Sequence, residues 1–120
     1  MLKPKFPLVS VNVLGKIVGF GLVLVVADML VPSLYGSYLP IVITIAVLTL
    51  VGAVADLVIV PNLGNFKSLL LGFPAMAAII WAVAKFFPNC NITLGWAIVL
   101  TLFIGPIEYL LHEMVLNSLD

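Results

Sequence analysis

Three acids interrupt the apolar stretches of this chain: Asp28, Asp56 and Glu108. An ionisable group inside hydrocarbon is costly, so it stays only where something pairs it or uses it. Lys16 and His112 also fall within apolar runs, and they define the chemistry on offer. A carboxylate beside a lysine is an ion pair; a carboxylate beside an imidazole can pass a proton. Glu108 and His112 stand four residues apart and so share one face of a helix. Such a pair can also supply two ligands to zinc. No second histidine supports that use, and the single Cys90 excludes a cysteine-rich site and an intrachain disulfide. No metal or other cofactor is therefore expected. The chain has no Ser-x-x-Lys, His-Glu-x-x-His or Gly-x-Ser-x-Gly pattern, so no catalytic residue and no enzyme activity is expected.

The elements that must position these groups are membrane spans. The chain is 64% hydrophobic and 8% charged, with a mean hydropathy of +1.35. A soluble domain carries roughly 25% charged residues. A span needs about 20 mostly apolar residues, and four segments qualify, at about 9–31, 39–60, 66–87 and 92–116. Pro32-Ser33 ends the first, Pro61-Asn62-Leu63-Gly64-Asn65 the second and Pro88-Asn89 the third. The expected fold is all-α: one integral membrane four-helix bundle, residues 1–120, with short loops and antiparallel neighbours. Lys3 and Lys5 imitate the start of a signal peptide. The apolar run that follows is too long for one, and no A-x-A site comes after it. It is read as a retained span.

Lysine placement orients the bundle. Lys3, Lys5 and Lys67 fall on one side and Lys85 on the other, which predicts both termini in the cytoplasm. Tyr35, Tyr38 and Trp96 then form an outer aromatic belt. Helical period sorts the polar residues. The fourth span aligns Ala97, Thr101, Gly105, Glu108 and His112, and the second aligns Thr49, Gly52 and Asp56. The third aligns Lys67, Leu71, Pro74, Ala78, Ala82 and Lys85, and the first aligns Asn12, Lys16, Val23 and Ala27. Glu113 is turned away from Glu108 and can reach the interface. By depth, Lys16, Asp56, Glu108 and His112 form one candidate polar cluster on the cytoplasmic side, and Asp28 and Lys85 a candidate outer pair. Lys16 can neutralise Asp56 or Glu108. That leaves one carboxyl in excess, so one of the two acids is protonated or the pair shares a proton. Snorkelling, pairing and helix capping are the structural alternatives for the same residues.

The stretch Ala55-Asp56-Leu57-Val58-Ile59-Val60-Pro61-Asn62-Leu63-Gly64-Asn65 resembles the centre of the YndM-like family, and Glu108-Tyr109-Leu110-Leu111-His112 is similar to that family's closing segment. The resemblance spans nearly the whole chain. It implies a small four-helix bacterial membrane protein, and it brings no activity. The chain departs from the pattern at Asn62, where the family carries a basic residue, and at Gly72-Phe73-Pro74, where it carries an acid.

The expected function is that of a small multi-pass protein of the bacterial cell membrane that works by helix association. Its partners are the lipid bilayer and a second copy or a larger membrane assembly. Gly15 and Gly19 offer a G-x-x-x-G face for this. The alternative is a small dimeric proton- or cation-coupled transporter that uses the buried acids. The chain has no arginine, which argues against phosphate and nucleic acid as partners.

Overall fold

A computed structural model describes residues 6–117, of which all regular structure is helical. Helix α1 spans Phe6–Leu30, α2 Tyr38–Val58, α3 Val60–Leu63, α4 Asn65–Ala84 and α5 Leu94–Asn117. The four long helices are long and apolar enough to cross a membrane. The expected spans start and end within a few residues of these, with one addition. The second span stops at Val58, and a single turn, α3, follows it with Pro61 near its start. Proline lacks an N–H and is tolerated in a first helical turn. Gly64 then adopts φ +82, a left-handed conformation that glycine takes without steric cost. This reverses the chain into α4.

Helix α1 packs against α2 and α5, and α4 packs against the same two. The long helices thus close a ring in which α1 and α4 lie diagonally. The α1–α2 and α4–α5 connections meet at one end, where Asn91 donates its backbone N–H to Leu34 O (2.8 Å) and its side-chain amide to Ser33 O (2.8 Å). The start of α1, the end of α2, the start of α4 and the end of α5 meet at the other. Consecutive long helices are therefore antiparallel, and both termini leave from one end. Lys3 and Lys5, on which the orientation rests, lie outside the described residues.

The two ends have different interiors. Far from the termini, Phe20, Leu24, Leu34, Ile41, Ile80, Leu100 and Ile104 form an apolar core. Outward faces are also apolar, with Val18, Leu22, Leu50, Phe103 and Leu110 all exposed. A soluble protein rarely shows so continuous an apolar surface; lipid accommodates it. The row Lys67, Leu71, Pro74, Ala78, Ala82 and Lys85 lies on this outer surface, while Asn65, Ser68, Ala77 and Ile80 face inward.

Two expectations change here. Tyr38 is exposed as a belt residue must be, but Tyr35 is fully buried and belongs to the core. The turn after Leu30, with Ser33 at φ 61, folds Tyr35 back under the helix ends. Its N–H donates to Asp28 Oδ1 at 2.9 Å. The G-x-x-x-G face is also already filled. A Cβ at Gly15 or Gly19 would come within 2.9 Å of Leu111 and 2.8 Å of Ile107, both on α5. Those glycines set the α1–α5 approach within one chain.

Candidate functional site

Each long helix delivers a polar side chain to one buried point near the termini end. Asn12 and Lys16, one turn apart on α1, face α2 and α5. Asp56 comes from the last turn of α2, Asn65 from the start of α4, and Glu108 and His112 from successive turns of α5. Lys16 is 0%, Asp56 1%, Glu108 4% and His112 4% exposed. The lysine stem fits because position 52 is glycine. A Cβ there would lie 3.3 Å from Lys16 Nζ and 3.4 Å from its Cε.

Lys16 Nζ contacts both acids, at 2.6 Å from Glu108 Oε1 and 2.9 Å from Asp56 Oδ2. Asn12 adds an amide N–H to Asp56 Oδ2 at 2.9 Å. The other oxygen of each acid turns to the imidazole. His112 Nε2 lies 3.0 Å from Glu108 Oε2 and 3.2 Å from Asp56 Oδ1. The opposite ring nitrogen, Nδ1, meets Asn65 Oδ1 at 3.0 Å. Asn65 cannot be turned round without loss, because its Nδ2 donates to Tyr109 O (3.0 Å) and Glu113 Oε1 (2.8 Å).

A proton inventory follows. An amide oxygen only accepts, so Nδ1 of His112 carries a hydrogen. Nε2 then faces two carboxylate oxygens. Two bare lone pairs at this distance repel, so one further proton belongs between Nε2 and the acids. It sits on the imidazole or on one carboxyl. With that proton and Lys16, the two acids are neutralised, and the excess carboxyl expected from the sequence acquires its partner in His112.

Asp56, Glu108 and His112 also offer ligand atoms that all lie within 4.8 Å of one another. The donor set resembles a metal site, but Lys16 already supplies a cation to both carboxylates. A divalent ion on Nε2, Glu108 Oε2 and Asp56 Oδ1 would take the place of the shared proton and leave a net positive charge beside Lys16, which is fully buried and enclosed by Gly52 and by Phe20, whose ring centroid is 5.6 Å from Nζ. The arrangement suits a proton better than a metal.

Beside the cluster, a cavity of about 160 Å³ opens between α2 and α4. Its walls are apolar, from Phe20 and Leu48 inside to Val51 and Leu71 at the outer surface, and Asp56, Ser68, Glu108 and His112 form its polar part. The mouth faces the side of the bundle.

The structure thus brings together Lys16, Asp56, Glu108 and His112, and it does not pair Asp28 with Lys85. Asp28 accepts from the Tyr35 backbone, while Lys85 Nζ lies 3.9 Å from the centroid of the Trp81 ring. Their helices, α1 and α4, are diagonal in the bundle and do not share a face. Two residues of the site had been given no role in it. Asn12 shares the Lys16 stripe, one turn earlier. Asn65 had been read only as the end of a turn; an inward amide opening a helix was its signal. Glu113, half-buried, accepts from Asn65.

A family model described as protein of unknown function (DUF2512) matches residues 11–120. No curated protein and no solved structure matches the chain.

Proposed function

Because the chain belongs to the DUF2512 family, whose description carries no activity, we propose a function from the site alone: a small multi-pass membrane protein that takes up and releases a proton at Asp56, Glu108 and His112, as the coupling site of a proton-linked carrier. The observation that supports it is the imidazole whose Nδ1 is committed to Asn65 while its Nε2 faces two carboxylates at 3.0 and 3.2 Å. One proton has three competing positions there. A hydrogen-bonded histidine between carboxylates inside a membrane is a common element of proton relays. The mouth between α2 and α4 supplies access without a wide axial path, which the packed core does not leave.

The association reading, as a homo-oligomer or a partner of a larger membrane assembly, keeps the small size that also motivates it and loses one of its supports. The glycine face is occupied by Ile107 and Leu111 of the same chain. The reading also places the protein in the bacterial cell membrane with both termini in the cytoplasm, on lysine placement and on the likeness to the YndM-like family. It assigns no enzyme activity, on the lack of a Ser-x-x-Lys, His-Glu-x-x-His or Gly-x-Ser-x-Gly pattern in the sequence.

Infrared difference spectroscopy of the protein in lipid nanodiscs, titrated across the pH range, tests the proposal. The expected result is a carboxyl band that appears on acidification together with an imidazole change, and that is altered by both Glu108→Gln and Asp56→Asn. A wild-type difference spectrum identical to that of Glu108→Gln would overturn it.

A further inference from the structure

The cavity between α2 and α4 has a volume and an apolar lining that access for a proton does not require. We infer that it binds a small lipophilic amine drawn from the bilayer, in exchange for the shared proton; this rests on the proton-binding reading above. Three observations carry it. The volume, about 160 Å³, is that of a small aromatic ring: a cavity of about 150 Å³ accepts benzene. The walls are apolar with a few convergent polar groups, the pattern of a small-molecule site. Those groups are two carboxylates and an imidazole, with the Ser68 hydroxyl committed to Gly64 O, and the two carboxylates favour a cationic nitrogen over an anion. Gly72 lines the wall, and a Cβ there would meet no atom within 4 Å, so the space beside it is unfilled. Val51 and Leu71 at the mouth are exposed on the lipid-facing side, which favours entry from the membrane.

The charges that face the site are Lys16 from α1, Asp56 from α2, and Glu108 and His112 from α5, while α4 brings only Asn65 and Ser68, which do not titrate. With the shared proton in place this set is neutral. An ammonium added to it would leave a net positive charge in low dielectric, so the shared proton must go. The balance is simple. The amine leaves its proton in water and crosses the lipid as the neutral base. In the cavity its nitrogen lone pair takes the shared proton from His112 Nε2 or the carboxyl, forming a new N–H bond as the old bond to hydrogen breaks. The ammonium then replaces that proton as the partner of the acids. Overall, one ammonium is bound and one proton is released to water.

Isothermal calorimetry with benzylamine tests this on the full chain in nanodiscs, with empty nanodiscs subtracted. Two buffers of different ionisation enthalpy count the protons. The expected result is saturable binding with about one proton released per amine. Gly72→Leu, which fills the cavity, is expected to weaken binding at least tenfold and to leave the infrared titration unchanged. Toluene, of similar size but without the nitrogen, is expected to release no proton and to bind more weakly. Saturable amine binding without proton release, or equal binding by Gly72→Leu, would overturn the inference. Failure here with a normal infrared titration removes the amine alone, whereas a featureless titration removes the proton site beneath it.

Discussion

At the end of the bundle far from the termini, Leu24, Ile80, Leu100 and Ile104 meet with no polar contact between them, and Tyr35 closes the stack. At the termini end, Asn12, Lys16, Asp56, Asn65, Glu108 and His112 fill an equivalent space with hydrogen bonds and ion pairs. Both ends pack the same four helices, yet they tolerate change differently. An apolar contact in a membrane loses only dispersion when it is trimmed, because lipid is as apolar as leucine. A buried ion pair that loses one partner leaves a charge with nothing to answer it. The apolar end holds the helices together, and the polar end specifies which faces meet.

The sharpest way to break that comparison is to delete one group at each end. Lys16→Met is expected to cost about 3–5 kcal/mol, since both acids lose their common cation. Leu24→Ala is expected to cost about 1–2 kcal/mol, below the aqueous range for such changes because the transfer contribution is absent in lipid. Reversible unfolding of both variants in mixed micelles measures the gap. Equal costs would mean that the polar end is no more specific than the apolar one.

A middle-sized effect concerns the seam that joins the two ends. Gly19→Leu places a side chain against Ile107 and is expected to cost about 1–3 kcal/mol by overpacking, with the oligomeric state on blue-native gels unchanged. A changed oligomer with unchanged unfolding would put that glycine face between copies instead.

The smallest effect sharpens the far end by pH. Burial pushes the Tyr35 phenol above its ordinary range. Its folded pKa lies above the unfolded value, so its contribution to stability is complete below about pH 10 and falls as the pH rises above that. The loss amounts to at most about 1.4 kcal/mol per pH unit. Tyr35→Phe should be spared this alkaline loss, as thermal unfolding at neutral and alkaline pH would show. Equal alkaline loss in both proteins would place the Tyr35 hydroxyl in water.

The helical period makes the inward faces of α2 and α5 readable, since Asp56, Glu108 and His112 recur at helical spacing on otherwise apolar segments. The same period puts Lys16 with Asn12. What the period does not reveal is which helices are neighbours. Asp28 and Lys85 share a depth, and only the closed order α1, α2, α4, α5 separates them. Nor does it show how a connection folds. Tyr35 looks like a belt residue until the turn at Ser33 tucks it inside, and Asn65 looks like a turn residue until α4 begins on it. In both, a backbone reversal of a few residues decides where the side chain goes, and such reversals depend on tertiary contacts the local sequence does not carry.

Gly52 leaves room for Lys16, and that has a consequence for how the protein is made. During synthesis α1 emerges before α2 and α5, with a lysine in the first half of its apolar stretch. Inserted alone, such a residue costs up to about 2.5–3.5 kcal/mol, the value at a helix centre, and less toward the end of a span. The arrival of α2 offers the notch at Gly52 and a first carboxylate, Asp56. The second carboxylate and the imidazole come only with α5. Insertion of α1 is thus provisional, and α5 completes it. A nascent chain halted before Glu108 holds Lys16 against Asp56 alone, without the second carboxylate and the imidazole between which the shared proton lies.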